Sequence, residues 1–177
     1  ERTAYPRFKS AFTQDELEHF YNPTESDTAF VESRAQDEAQ PLAMMILLKA
    51  FQKLGYLPKL DDVPVPVVKY IVKQMHIPYP KQLHDLPRMT RSRYRQAIYT
   101  NLDIKAFRDG GQEAMEIIVR QATRTMSDPA DLINVAIEQL IVERFELPAY
   151  RTLDELVNHI RHQAHQELYA QVTAHLT

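Results

Sequence analysis

The sequence predicts an all-α fold arranged as two small helix-turn-helix-like domains in tandem, and three observations carry that prediction. Glycine occurs 3 times and proline 11 times in 177 residues. That balance withholds the residue that tight β-turns and phosphate-cradling loops need, while prolines between long stretches mark helices with sharp ends. Apolar residues recur at helical spacing along most of the chain. Several of these stretches open on a capping signal.

The elements follow in order. Thr13-Gln-Asp-Glu16 is a capping box, with Thr13 at the N-cap and Glu16 at the third helical position, so a short helix is expected to about Tyr21. Thr24 or Ser26 can cap a second helix ending near Arg34. In the third, Leu42, Met45, Ile46, Leu47, Phe51 and Leu54 spread apolar surface around much of the helix, and Gly55 is a suitable stop. A helix this apolar belongs at the centre of a core. The fourth, Val65 to His76, is entered through Pro64 and Pro66 and closes before Pro78. Residues 77–89 read as a linker, which places domains at 1–80 and 86–177.

The second half opens with a helix from about Thr90 to Leu102, whose buried stripe is Tyr94, Ile98 and Leu102. A loop follows over 103–111, then a helix from about Gln112 to Thr125. Ser127 is the expected cap of the next helix, with Pro129 in its first turn and a core face of Leu132, Ile133, Ala136, Ile137, Leu140 and Ile141. Thr152 and Glu155 form a second capping-box pattern for a last helix running to about Leu176. A weak internal echo pairs Phe51–Ile71 with Leu140–Ile160: an apolar helix end, then Leu57-Pro58 or Leu147-Pro148, then a new helix.

Composition narrows the function classes. Hydrophobic residues make up 44% and charged residues 25%, the balance of a soluble globular protein. No apolar run reaches ~18 residues, so no membrane partner is expected. The chain opens on Glu1 with no hydrophobic signal core, which reads as a trimmed or excised segment. Cysteine is absent, which removes disulfides and thiolate metal sites and fits a reducing cytoplasm. Charge is uneven beneath a net of −3: residues 13–40 hold eight acids and one arginine, residues 41–124 fourteen Lys and Arg against seven acids, and residues 125–177 three arginines against eight acids. Local fields of this kind steer partners more than the sum does.

The basic middle is densest at Arg88, Arg91, Arg93 and Arg95. Guanidinium forks match phosphate oxygens, so nucleic acid is one partner for this block. A solvated helix start, with Arg88 and Arg91 paired to Asp85 or Asp103, is the structural alternative, and an acidic protein is a third. Arg91 and Arg95 lie four apart beside the buried stripe, Arg93 points elsewhere, and Arg88 is expected to precede the helix. Tyr94 and Tyr99 could stack on sugar or base but read more naturally as packing residues. Two helix-turn-helix readings arise. One joins the helix ending near Thr125 to that starting at Pro129, but Asp128 and Asp131 at its start repel phosphate. The other turns near Arg34-Ala35-Gln36 into the third helix, where Gln36 and Gln40 could read adenine edges beside Asp37 and Glu38.

His159, His162 and His165 follow Glu155 at helical spacing, yet no second cluster completes a metal site. Glu16-Leu-Glu-His19 is a single Glu-x-x-His, where a bundle di-iron site needs two. No nucleophile–base pair, phosphate-binding glycine loop or His-Glu-x-x-His occurs. Catalytic residues, metal ligands and cofactors are therefore expected to be none within this segment.

Across nearly all 177 residues, the chain resembles the N-terminal region of replicative transposases of the Tn-three family. The residues that carry this are Tyr5-Pro-Arg-Phe8 before Thr13-Gln-Asp-Glu-Leu-Glu-His-Phe20, then Leu42-Ala43, Leu47-Leu-Lys49 and Gly55, Val63-Pro64, Thr90-Arg91 with Ile98, and Asp128-Pro-Ala-Asp-Leu-Ile-Asn134 with Ile137-Glu138 and Leu147-Pro148. Tyr94 departs from a position often His, and Asp103-Ile104 from one often Gly-Phe. The resemblance implies a bacterial, nucleoid-associated DNA-binding segment. Its partner would be double-stranded DNA at the transposon's terminal inverted repeats, with other transposase domains or a second transposase copy as further partners. The metal-dependent acidic triad that cuts DNA would lie elsewhere in the parent protein. On that reading Arg91 and Arg95 are the first candidates for DNA contact, then Arg88 and Arg93, with Tyr99, Gln36 and Gln40 added and Lys49, Lys53, Lys69 and Lys73 as phosphate anchors. The rival expectation is an all-helical protein-interaction module for transposase assembly or host-factor docking, with no direct DNA contact, which the acidic ends suit.

Overall fold

The computed structural model describes residues 3–34, 40–80 and 86–175. Eight α-helices and no strand appear among them, as the glycine-poor, cap-rich sequence predicts. The chain divides into two compact units, Pro6–Asp103 and Glu1–Tyr5 with Ile104–Thr177.

The first unit is built around α3 (Pro41–Leu54), which packs against α1 (Gln14–Tyr21), α2 (Glu25–Arg34) and α4 (Val65–Gln74). Neighbours on several sides explain why its apolar residues wrap the helix: every residue from Ala43 to Phe51 is buried, and so is Leu54. Gly55 ends it at φ 76, a left-handed conformation that favours glycine, and its amide donates to the Phe51 carbonyl at 2.7 Å. The capping box on α1 forms as read, the Glu16 amide donating to Thr13 Oγ1 at 3.2 Å and the Thr13 amide to Glu16 Oε2 at 3.1 Å. At α2, Thr24 is the cap, and its reciprocal partner is Asp27: the Asp27 amide donates to Thr24 Oγ1 at 3.1 Å and the Thr24 amide to Asp27 Oδ2 at 2.9 Å.

The fifth helix, α5, spans Arg88–Leu102 and begins two residues before the expected Thr90, so Arg88 lies in the helix rather than ahead of it. It belongs to the first unit. Tyr94 and Ile98 are fully buried, the Tyr99 ring lies 5.2 Å from that of Phe51 on α3, and the Tyr94 hydroxyl donates to the Gln40 carbonyl at 3.4 Å. The units therefore divide after Asp103, whereas the proline-rich stretch 77–89 suggests a division at 80–86. Local composition marks the prolines, but the apolar stripe of α5 decides which core it joins. Asp103 closes α5 at φ 54, in the left-handed region where Asp is tolerated better than most residues.

The second unit packs α6 (Gln112–Ala122), α7 (Pro129–Val142) and α8 (Tyr150–His175) against one another. Met115 and Val119 meet Leu132, Ile133, Ala136, Ile137 and Leu140, with Leu153, Val157 and Ile160 from α8. Three local expectations are corrected. The cap of α7 is Asp128 rather than Ser127, since Asp128 Oδ1 accepts from the Ala130 amide at 2.8 Å. Ile141 is 54% exposed rather than in the core, because it falls at the end of α7 beyond the reach of both partners. The Thr152–Glu155 capping box does not form: α8 starts at Tyr150, which puts Thr152 inside the helix, and Glu155 accepts from Arg151 Nε at 2.7 Å one turn back. Ahead of α6 the chain pairs briefly with the end of α7, the Lys105 amide donating to the Arg144 carbonyl at 2.8 Å and the Glu146 amide to the Lys105 carbonyl at 2.9 Å. Tyr5 docks onto this unit, its hydroxyl donating to the Pro148 carbonyl at 2.9 Å and its ring meeting Tyr150 edge-on at 5.4 Å.

Candidate nucleic-acid interface

The arginine block separates into different roles once α5 is placed. Arg91 is half-buried, and its Nη2 donates to the carbonyls of Pro58 at 3.2 Å and Leu57 at 3.4 Å. The fork that the sequence offers to phosphate is thus engaged in holding the connection after α3. Arg88, Arg93 and Arg95 are exposed. Arg95 lies over the Tyr99 ring at 5.2 Å, a cation–π contact that orients the side chain while it stays exposed to solvent. Tyr99 itself is 5% exposed, between Phe51 and Arg95, so its ring has no open face for a base.

No carboxylate interrupts Arg88–Leu102. The cap is Pro87, which offers no side-chain acceptor, and the first turn holds no acid. Helix N-terminal amides attract anions, and the sequence of α5 adds four arginines and no carboxylate to that start.

The lysines divide as well. Lys69 and Lys73 are exposed and lie four residues apart on α4, which places them on one face. Lys53 is half-buried with its ammonium 3.4 Å from the centre of the Phe20 ring. Lys49 is 5% exposed and donates to Asp27 Oδ2 at 3.0 Å, so it sits in the core and cannot reach a phosphate. Gln40 is exposed at the N-terminus of α3, with its carbonyl accepting from Tyr94. Gln36 lies outside the described residues, as does Asp85. Ala43 to Phe51 of α3 are buried on every side, so the helix-turn-helix reading that inserts the start of α3 into a groove is limited to its exposed end at Gln40 and Pro41.

The buried network around Asp27 is the feature that motif reading passed over. Asp27 is 3% exposed and accepts from Lys49, from the Thr24 amide, and from Gln52 Nε2 at 2.9 Å. Desolvation pushes its carboxyl up, but the hydrogen bonds from the Thr24 backbone, Gln52 and Lys49 outweigh it and hold the group below its ordinary value. The signal was present in two places: an acid three residues after Thr24, and a lysine inside Leu47-Leu-Lys-Ala-Phe51, where a buried cation demands a partner.

In the second unit, His159 and His162 are exposed on α8. Among the described residues, no group of three or more His, Asp or Glu converges as a metal site would need, and no helix is long and apolar enough to cross a membrane.

Residues 1–160 match the family described as "Domain of unknown function (DUF4158)", and the chain belongs to that family. No curated protein matches it.

Proposed function

We propose that this member of the DUF4158 family binds duplex DNA at the ends of a transposable element, with α5 of its first unit as the gripping surface. The observation that carries the reading is a helix with four arginines and no carboxylate, three of those arginines exposed. The family is found in transposase-related proteins, which makes element DNA the fitting anion. Clustering at a helix terminus favours grip on the backbone over base readout, since phosphate contacts position and base contacts specify. Lys69 and Lys73 are the accompanying phosphate candidates, and Lys49, Arg91 and Tyr99 leave the contact set for structural roles. The segment acts as a recognition module, with DNA cutting assigned to another part of the parent protein.

The experiment is fluorescence anisotropy with labelled duplex from the inverted repeats of the element encoding this chain, against a scrambled duplex, at moderate salt. Tighter binding to the repeat by about a thousandfold is expected, the low side of typical specificity ratios. Equal binding to both duplexes refutes site recognition by this segment and favours the protein-interaction reading.

A further inference from the structure

The exposed face of α5 is ordered in a way that its arginines alone do not explain. With about 100° of turn per residue, Met89, Ser92 and Gln96 fall within ~50° of the direction opposite the buried Tyr94, Ala97 and Ile98. Arg88 and Arg95 lie on one flank of that line and Arg93 on the other. All six of these outward side chains are exposed. The face is therefore uncharged along its centre and cationic on both edges.

Centre and edges suit different parts of a duplex. A helix lying in the major groove, about 12 Å wide, turns its outermost residues to base edges and its flanks to the phosphates on either side. Arginines on both flanks fit those phosphates. The centre carries chemistry that reads bases. Gln96 offers a side-chain amide, whose donor and acceptor match N7 and the N6 amino group of adenine. Its amide nitrogen donates to Thr100 Oγ1 at 3.5 Å, a long bond that is readily exchanged. Met89 is 75% exposed, the one large hydrophobic side chain that α5 leaves in water. A flexible thioether adapts to apolar surface, and in the major groove that surface is the thymine methyl. Met89 and Gln96 stand seven positions apart, ~10 Å of helix or about three base-pair steps. Ser92 between them is short and lets the helix sit close.

We infer that α5 reads base edges in the major groove through Gln96 on an adenine and Met89 on a thymine methyl, between flanking arginines that hold the phosphates. This readout rests on α5 as the DNA surface and supplies the base contacts that its arginines, as backbone grips, do not.

The test titrates the whole chain at moderate salt against the end-repeat duplex in three forms: unmodified, with 7-deazaadenine for adenine, and with deoxyuridine for thymine. The first replacement removes the N7 acceptor and the second removes only the methyl. A scrambled duplex with the same replacements supplies the baseline. Relative to it, 7-deazaadenine is expected to weaken the unaltered chain at least about fivefold, the low end of what a bidentate pair contributes. Deoxyuridine is expected to weaken it about two- to fourfold, the burial of one methyl. Gln96→Ala, an exposed change to a good helix former, should lose the response to 7-deazaadenine and keep that to deoxyuridine, and Met89→Ala should do the reverse. A response to 7-deazaadenine that persists in Gln96→Ala, a response to deoxyuridine that persists in Met89→Ala, or an unaltered chain indifferent to both replacements overturns the inference while end recognition stands. Equal binding of the unmodified repeat and scrambled duplexes instead removes end recognition itself, and this readout with it.

Discussion

The central helices of the two units, α3 and α7, share a scheme and solve it differently. Both are 14 residues long with proline at the start, Pro41 and Pro129. Each is followed by a left-handed residue, Gly55 at φ 76 or Arg144 at φ 60, then by Leu-Pro and a new helix. This is the physical content of the internal echo in the sequence. The difference lies in what surrounds the helix. Helices α1, α2 and α4 pack on α3, and Tyr99 of α5 meets its Phe51, so its buried face widens to take in position 49, and a lysine there is neutralised by Asp27. Two helices, α6 and α8, pack on α7, so its buried positions stay apolar and Ile141 and Val142 emerge at 54% and 77% exposure. A buried ion pair is thus a consequence of how completely a helix is enclosed.

Breaking the ion pair should give the largest effect. Lys49→Met leaves Asp27 buried without its cation and is expected to destabilise the first unit by about 3–5 kcal/mol, read by urea unfolding. The double variant Asp27→Asn with Lys49→Met should recover much of that loss. The acid response follows the same pair. Because the folded carboxyl titrates below its ordinary value, its stabilisation is complete above the usual carboxylate range near ~4 and is lost as pH falls through the folded value. Asp27→Asn should therefore flatten the acid limb of the stability profile; an unchanged limb would show that another group sets it.

Exchanging the helix stops sharpens the comparison at a smaller scale. Gly55→Ala forces a side chain into a left-handed conformation and should cost about 1–2 kcal/mol. Arg144→Gly relieves the same strain in the second unit and should raise stability by less than about 1 kcal/mol. Changes of the same sign at both sites would show that the two turns are not equivalent. The cap is smaller again: Asp128→Ala should cost roughly 1 kcal/mol, confined to the second unit in hydrogen-exchange protection.

Much of the fold was legible because its signals are local. Thr13 with Glu16, Gly55, and Pro64 with Pro66 each act within one helical turn, and each element they bound is found. Signals that depend on distant neighbours were not. Arg91 looks like a phosphate ligand until the carbonyls of Leu57 and Pro58 are brought to it, and Lys49 looks like an anchor until Asp27 faces it. The position of α5 in the first unit rests on Tyr94 and Tyr99 meeting α3, which no linker composition could reveal. The second capping box was a local signal outcompeted by another, the Arg151–Glu155 pair.

The most direct test of α5 as the DNA-gripping helix is the salt dependence of end-repeat DNA binding by Arg88→Gln/Arg93→Gln/Arg95→Gln against the unaltered chain, from about 50 to 200 mM salt. Each phosphate that is no longer neutralised lowers the slope of log K against log salt by about 0.9, so three arginines on phosphate predict a fall of roughly 2.7 with the fold unchanged. A slope equal to that of the unaltered chain would contradict α5 as the surface that grips DNA.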